Sequence, residues 1–379
     1  MRNFTDTMKK INYILLALFA SAVLYSCGGE DEGGGTTTTS ADSFDRSELL
    51  TDLADLMIIP SYQDFSEKVS TLSTQTAAFT ATPSENTLVD VREAFKDAYL
   101  VWQYVGLFEI GHAEEVQFQI FTNGYPTDTN AINTNIASGL MDLSTHPFPA
   151  EQGLPAIEYL LYAQGSDSET INLFTEDQNY GAYLIAAVDK LQAITDAVLE
   201  DWQSGYREEF ISLSGNAVNQ SVNKIVNDYV FFYEKTLRTD KIGVPAGRFS
   251  GDAEPRFIEA RYVPNNFSLD LFNQALDAAQ NIYNGDSYDG TQVGESFSSY
   301  LTALDATELE SLITDEINEA RIEASTNLTD DFTTLVESSE GQVAMLEVFD
   351  ELQDVVILIK TNMMQEFGIT PDFVDGDGD

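Results

Sequence analysis

The strongest constraint in this sequence is a repeated spacing of apolar and aromatic residues at intervals of three and four. Phe65, Val69, Leu72, Thr76 and Phe79 follow it, and so do Leu88, Val91, Phe95, Ala98, Trp102 and Val105. It returns at Leu184, Val188, Leu191, Thr195, Val198 and Trp202, then at Val218, Val222, Ile225, Tyr229, Phe232 and Thr236. A last strong case is Met345, Phe349, Leu352, Val356, Ile359 and Met363. Residues at these intervals share one face of an α-helix, so each segment carries an apolar stripe that another segment must cover. Shorter helical patterns lie near 266–283 and 305–327, and no segment alternates with the period of two that a half-buried strand needs. The expectation is an all-α protein of two up-and-down bundles with about four helices each. Residues 46–213 would form the first and 214–370 the second. Thr82-Pro83-Ser84-Glu85 reads as a capping box with proline at the first helical position, and Pro60 as a break or bend.

The connections between these helices are long for simple bundles, where roughly two to eight residues suffice. Residues 109–152 and 238–264 are rich in glycine and proline, and long ordered loops often carry function. A site between the two bundles is therefore expected there.

The N-terminus carries a separate message. Arg2, Lys9 and Lys10 precede an apolar run from Ile11 to Leu24, too short to span a bilayer, and Ser26-Cys27 follows. Residues 1–26 read as a lipoprotein signal peptide, with Cys27 as the lipidated residue and the membrane anchor. Ordinary secretion with a free thiol at Cys27 is the alternative. Residues 27–45, with runs of glycine, acid and threonine, cannot bury anything and form a flexible tether. Glu30-Asp31-Glu32 resembles the acidic signal of some surface-displayed bacterial lipoproteins. The expected location is the outer membrane, facing either the periplasm or the cell surface.

Charge narrows the partners. With 63 acidic against 18 basic residues, the chain has a formal charge of −45. Such a body repels nucleic acid, which is excluded as a partner. Cys27 is the only cysteine, so no disulfide forms within the chain and stability must come from packing. Residues 371–379 form an acidic tail. Its Asp375-Gly376-Asp377-Gly378-Asp379 imitates the start of a calcium loop but lacks the closing glutamate.

The chain has two histidines. If helical, His112 and Glu115 share one face, and imidazole plus carboxylate suits a transition metal. Gly111 argues instead for a turn and a loop histidine. His146 stands in Thr-His-Pro-Phe-Pro, an extended loop.

Several motifs, in order along the chain, resemble those of the imelysin-like family. Gly153-Leu154-Pro155-Ala156-Ile157-Glu158-Tyr159-Leu160-Leu161-Tyr162 is similar to its central motif. Phe108-Glu109-Ile110-Gly111 resembles its glycine turn, and Tyr125-Pro126-Thr127-Asp128 its Trp/Tyr-Pro-x-Asp segment. Asp240-Lys241-Ile242-Gly243-Val244-Pro245-Ala246-Gly247 resembles its Lys-Leu-Gly-x-Pro loop, and Phe367-Gly368-Ile369 its ending.

The resemblance implies two related four-helix bundles with a site at their interface. It implies a lipoprotein tied to iron or haem uptake, acting with iron/haem-uptake proteins and holding iron, zinc or haem. The family's motif is Gly-x-His-x-x-Glu. Gly153 and Glu158 match it, whereas Pro155 replaces the histidine and offers no ligand atom. That departure counts against a metal-dependent peptidase, which needs about three protein ligands and an activated water. The expected ligand-binding residues are Gly153, Glu158, His112 and Glu115, with Glu158, His112 and Glu115 as the metal set. Glu158 lies in an apolar helical segment, so its carboxylate faces a ligand or is paired with backbone, Arg207, Arg238 or Lys241. A structural or adaptor lipoprotein is the remaining alternative.

Overall fold

Asp45 starts the fold by accepting hydrogen bonds from the Ser47 and Glu48 amides at 3.0 and 3.2 Å, capping helix α1 (Arg46–Asp52). The computed structural model describes residues 43–372. The signal, Cys27 and most of the tether lie outside them, as do tail residues 373–379.

From α1 the chain continues through a π-helical stretch, Leu53–Ile58, into α2 (Ile59–Ala81). Pro60 therefore does not break this rod. A proline cannot donate to the carbonyl four residues back, and that carbonyl, on Leu56, accepts instead from the distant Tyr288 amide at 2.8 Å. Helix α3 (Glu85–Val105) follows. Its cap differs from the sequence expectation: Ser84 is the N-cap and Thr87 closes the box, with Pro83 ahead of the cap rather than inside the helix. Two hydroxyl residues flanking Pro83 made the register ambiguous, and Thr82 is spent closing α2.

The glycine-rich segment 109–152 is more folded than expected. It contains α4 (His112–Val116), α5 (Phe118–Asn123), α6 (Thr129–Ser138) and a 3-10 turn, Pro149–Glu151. Helices this short show no periodicity to read; only the Asp128 cap, which accepts from the Ala131 amide, leaves a local signature. Next come α7 (Gly153–Tyr162), α8 (Asp167–Glu176) and α9 (Gln178–Asp201). A π turn, Trp202–Tyr206, leads to α10 (Arg207–Ser212). Helix α11 (Ser221–Phe231) runs into a long π segment, Phe232–Gly243. Then follow α12 (Phe267–Asn284), α13 (Phe297–Ala303), α14 (Thr307–Asn327), α15 (Phe332–Glu337) and α16 (Ser339–Ile357). A π stretch, Leu358–Met363, and α17 (Met364–Glu366) end the order. Among the described residues the extended pairing is an isolated bridge, Asp286 to Val293, so the fold is all-α.

The apolar stripes decide the packing. Helix α2 lies against α3 and α9, and α7 is laid over α9 and α3. Further along, α14 and the π segment Phe232–Gly243 both pack on α16, with α15 beside it. Helix α12 touches both groups, packing on α3 and on the π segment. Almost every stripe residue is buried, including Thr76, Trp102, Thr195 and Trp202, while Thr236 is half-buried. Each fully buried Phe, Leu or Val contributes roughly 1.5–3 kcal/mol over an exposed one. Val218 is an exception: it precedes α11 and is 71% exposed. Among the described residues no helix is long and apolar enough to cross a membrane.

Candidate functional site

The end of α3, the α4–α5 region, α11 and the following π segment surround a cleft of about 890 Å³. This is within the size usual for small-molecule sites, roughly 300–1,000 Å³. Helix α11 reaches it with Lys224, Asp228 and Phe231, spaced four and three apart and so on one face. Asp228 Oδ2 accepts from the Glu109 amide at 3.0 Å, and Glu109 Oε2 accepts from the Gln119 amide at 2.9 Å. Burial pushes the Glu109 carboxyl up to about 7, against the pull of the Gln119 amide. Burial also raises Asp228 well above the usual carboxylate range; the Glu109 amide offsets this in part, and the Glu109 carboxyl adds to it. Asp240, which water still reaches, is raised by the surrounding protein to about 6 despite the neighbouring Lys241. Glu114 and Asp372 complete five carboxyl groups on the lining, against one amine, Lys224, whose Nζ lies 3.4 Å from Glu114.

Behind the cleft lies a buried polar junction. Lys241 donates to Glu259, forming an ion pair with both side chains almost fully enclosed, and to Gln103 Oε1 at 2.7 Å. Gln103 and Asn123 donate to the other Glu259 oxygen at 3.3 and 2.7 Å, and Tyr99 donates to Asn123 at 2.6 Å. Charges removed from water survive only when paired and hydrogen-bonded in this way. The junction ties α3 and α5 to the π segment and to the 259–262 turn.

That turn also holds Glu158. The Tyr262 amide donates to Glu158 Oε1 at 2.6 Å. Burial drives the Glu158 carboxyl up to about 8, moderated by the Tyr262 amide and the Arg261 charge. Of the cations named from sequence, Arg207 forms two 2.6 Å contacts with Asp55, Lys241 belongs to Glu259, and Arg238 stacks 3.9 Å from the Phe349 ring centre. Gly153 has φ +73°, and a Cβ there would lie 2.4 Å from the Thr122 carbonyl oxygen. The glycine of the motif thus lets α7 start directly against α5. Neither Gly153 nor Glu158 lines the cleft; Glu158 reaches it indirectly, through Tyr262, Glu259 and Gln103.

His112 and Glu115 do share a face of α4, with Nδ1 and Oε2 2.9 Å apart and Glu115 largely exposed. Gly111 makes its turn at φ +63° just before them. His146 Nε2 lies 2.7 Å from Glu151 Oε2, which also accepts from Asn135. Among the described residues no three His, Cys, Asp or Glu side chains are grouped to hold a metal ion. The donor set at the motif does not fit a protein-held metal either: Pro155 supplies no ligand atom, and Glu158 is occupied by the Tyr262 amide.

Sequence reasoning missed Asp228, Asp240 and Glu259 and gave Glu109 only a neighbour's part. The available signal was the polar face of α11, where Asn223 and Asn227 stand among apolar residues and are buried.

The imelysin family's profile matches residues 58–358. An imelysin-like protein from Psychrobacter arcticum 273-4 superposes with a TM-score of 0.65 at 19% identity, over 87% of this chain and 97% of that one. A "putative iron-regulated protein A precursor" from Parabacteroides distasonis ATCC 8503 gives 0.66 at 17% identity, over 85% and 97%. No curated protein matches. With most of its length matched by the profile, and its fold shared with these structures, the chain belongs to the imelysin family.

Proposed function

We propose that this protein is a lipid-anchored binding protein of the bacterial cell envelope, an accessory in iron acquisition that captures its ligand in the cleft beside Asp228. The observation that carries this reading is the cleft: about 890 Å³, walled by both the early and late helices, with two carboxyls, Glu109 and Asp228, whose burial favours their neutral form. Perturbed groups gathered in a large concavity are the default candidates for a functional site. The iron connection draws support from the family and from the iron-regulated protein that shares the fold. The anchor reading rests on Cys27 and the segment before it, and places the body at the outer membrane, on either face. Zinc, iron and haem are the ligands to test first. A binding role is favoured over peptidase action because Pro155 removes the motif's nitrogen ligand and no replacement set stands nearby.

Titration of the purified protein with ferrous and ferric iron, zinc and haem, followed by calorimetry, tests the reading. Micromolar binding of one of them, weakened by Asp228→Asn, is the expected result. No heat with any of the four at micromolar concentration would overturn the iron-related part.

A further inference from the structure

Two helices that pack directly on one another, α14 and α16, carry eleven acidic residues between them and one basic residue. The seam of α2 and α3 is built differently. Six acids are matched there by three bases, and Lys68 reaches across to Asp97 at 3.3 Å. The single base of the α14–α16 pair, Arg321, is spent on α12, where it meets Asp277 and Gln280 at 2.7 Å each. The bases of the neighbouring π stretches go to another carboxyl: Lys360 and Lys235 meet Glu234 at 2.9 and 3.7 Å.

Like charges on neighbouring helices repel, most strongly where water is shut out. Glu316 stands in such a place. It interrupts the apolar stripe Ile313, Ile317, Ala320 and Ala324 of α14 and is 9% exposed. Burial, and then Asp354, Glu319 and Asp315, raise its carboxyl above the ordinary range. On α16, burial and then Asp354, Glu316, Glu323 and Glu319 push the half-buried Glu351 up to about 7. All the charges acting on the two are carboxyls, and neither forms a hydrogen bond or ion pair among the described residues. Tyr233, on the π segment that packs on α16, is a separate sign that water is excluded. Its hydroxyl is fully buried without a hydrogen-bond partner among the described residues, and the charges it feels are Arg321, Glu351 and Glu316.

We propose that the seam between α14 and α16 is a proton-operated joint: it closes while Glu316 and Glu351 carry protons and loosens when they ionise. An enclosed carboxyl keeps its proton above the pH at which the unfolded chain gives it up. The closed seam therefore loses stability as pH rises through that interval. Ionisation places a charge among carboxyls with no counterion, and parting the helices lets water solvate it. The joint adjoins the cleft wall, because the π segment Phe232–Gly243 packs on α16 and lines the cleft with Thr236 and Asp240. It does not depend on what the cleft holds.

Hydrogen exchange of the full chain, read by mass spectrometry at pH 6 and pH 8 and corrected for intrinsic rates, tests the joint. Peptides from α14 should lose about tenfold in protection at pH 8, relative to peptides from α2, whose seam has its cross-helix bridge. Glu351→Gln should cut that loss to about threefold or less, with Glu316→Gln as a second variant should the first misfold. Glu158→Gln removes a carboxyl that also resists ionisation but lies on α7, and should leave the α14 loss unchanged. Equal protection of α14 relative to α2 at both pH values overturns the proposal. So does a loss that persists in full in Glu351→Gln. A loss that Glu158→Gln abolishes overturns it too, since the response would then belong to the whole fold.

Discussion

The Lys241–Glu259 junction and the Glu109–Asp228 cleft lie side by side, share Gln103 in their walls and treat charge in opposite ways. In the junction a cation meets a carboxylate whose two oxygens have three donors between them, and nothing is left for water or ligand. In the cleft the carboxyls have backbone donors but no cation on the floor, so burial raises their proton affinity. A paired charge enclosed by protein fixes architecture, whereas an enclosed carboxyl without a counterion stands ready for a partner.

That contrast is open to attack, beginning with its largest consequence. Lys241→Met should cost about 3–5 kcal/mol of unfolding free energy, because Glu259 would be left buried and unpaired. Asp228→Asn should cost far less, since burial disfavours the charged form of this carboxyl and the amide oxygen can still accept from Glu109. Denaturant titrations that found equal losses would erase the distinction.

The next effect is on pH. Glu158, Glu109 and Asp240 hold their protons to about pH 8, 7 and 6 in the folded chain, against ordinary values of 4.5, 4.5 and 3.8. Between those limits the unfolded chain has released protons that the native state retains, so these groups destabilise the fold as pH rises. The melting temperature should therefore be higher at pH 5.5 than at pH 8, by roughly 5 °C. A flat or opposite profile over that window would contradict the assigned burial.

Glu158→Gln isolates one contributor. The amide oxygen can still accept from Tyr262, and the charge is gone. The gain in stability should be about 3 kcal/mol larger at pH 8.5 than at pH 5.5. A loss at both values would mean that the carboxylate itself is required. The smallest effect belongs to His112→Ala, whose partner Glu115 is exposed; it should stay within about 0.5 kcal/mol by thermal melting.

Helices were legible wherever a stripe ran for three turns or more. The stripe from Leu88 to Val105 lies wholly within α3, and that from Met345 to Met363 spans α16 and its π extension. Val218 failed because a residue at the right interval was assumed to belong to the helix, when Ser221 begins it. The site was harder to see for a different reason. Glu158 stood out as one acid in an apolar segment, but Asp228 and Asp240 are two among 63 acidic residues. Long-range packing is what separates them from the solvated ones, and the local sequence hints at it only for Asp228, through Asn223 and Asn227 on the same helix.

The bond from the Tyr288 amide to the Leu56 carbonyl has a consequence for how the molecule breathes. The same loop also sends the Glu295 amide to Asp52 and the Tyr288 hydroxyl to Asp64, so it is fastened along one helical rod at three points. Opening the loop would strand a carbonyl that Pro60 cannot serve, and the two must open together. In hydrogen exchange, the Tyr288 amide should then keep the slow clock of the first helix rather than the fast one of a surface loop. A segment late in the chain would thus report the unfolding of its beginning.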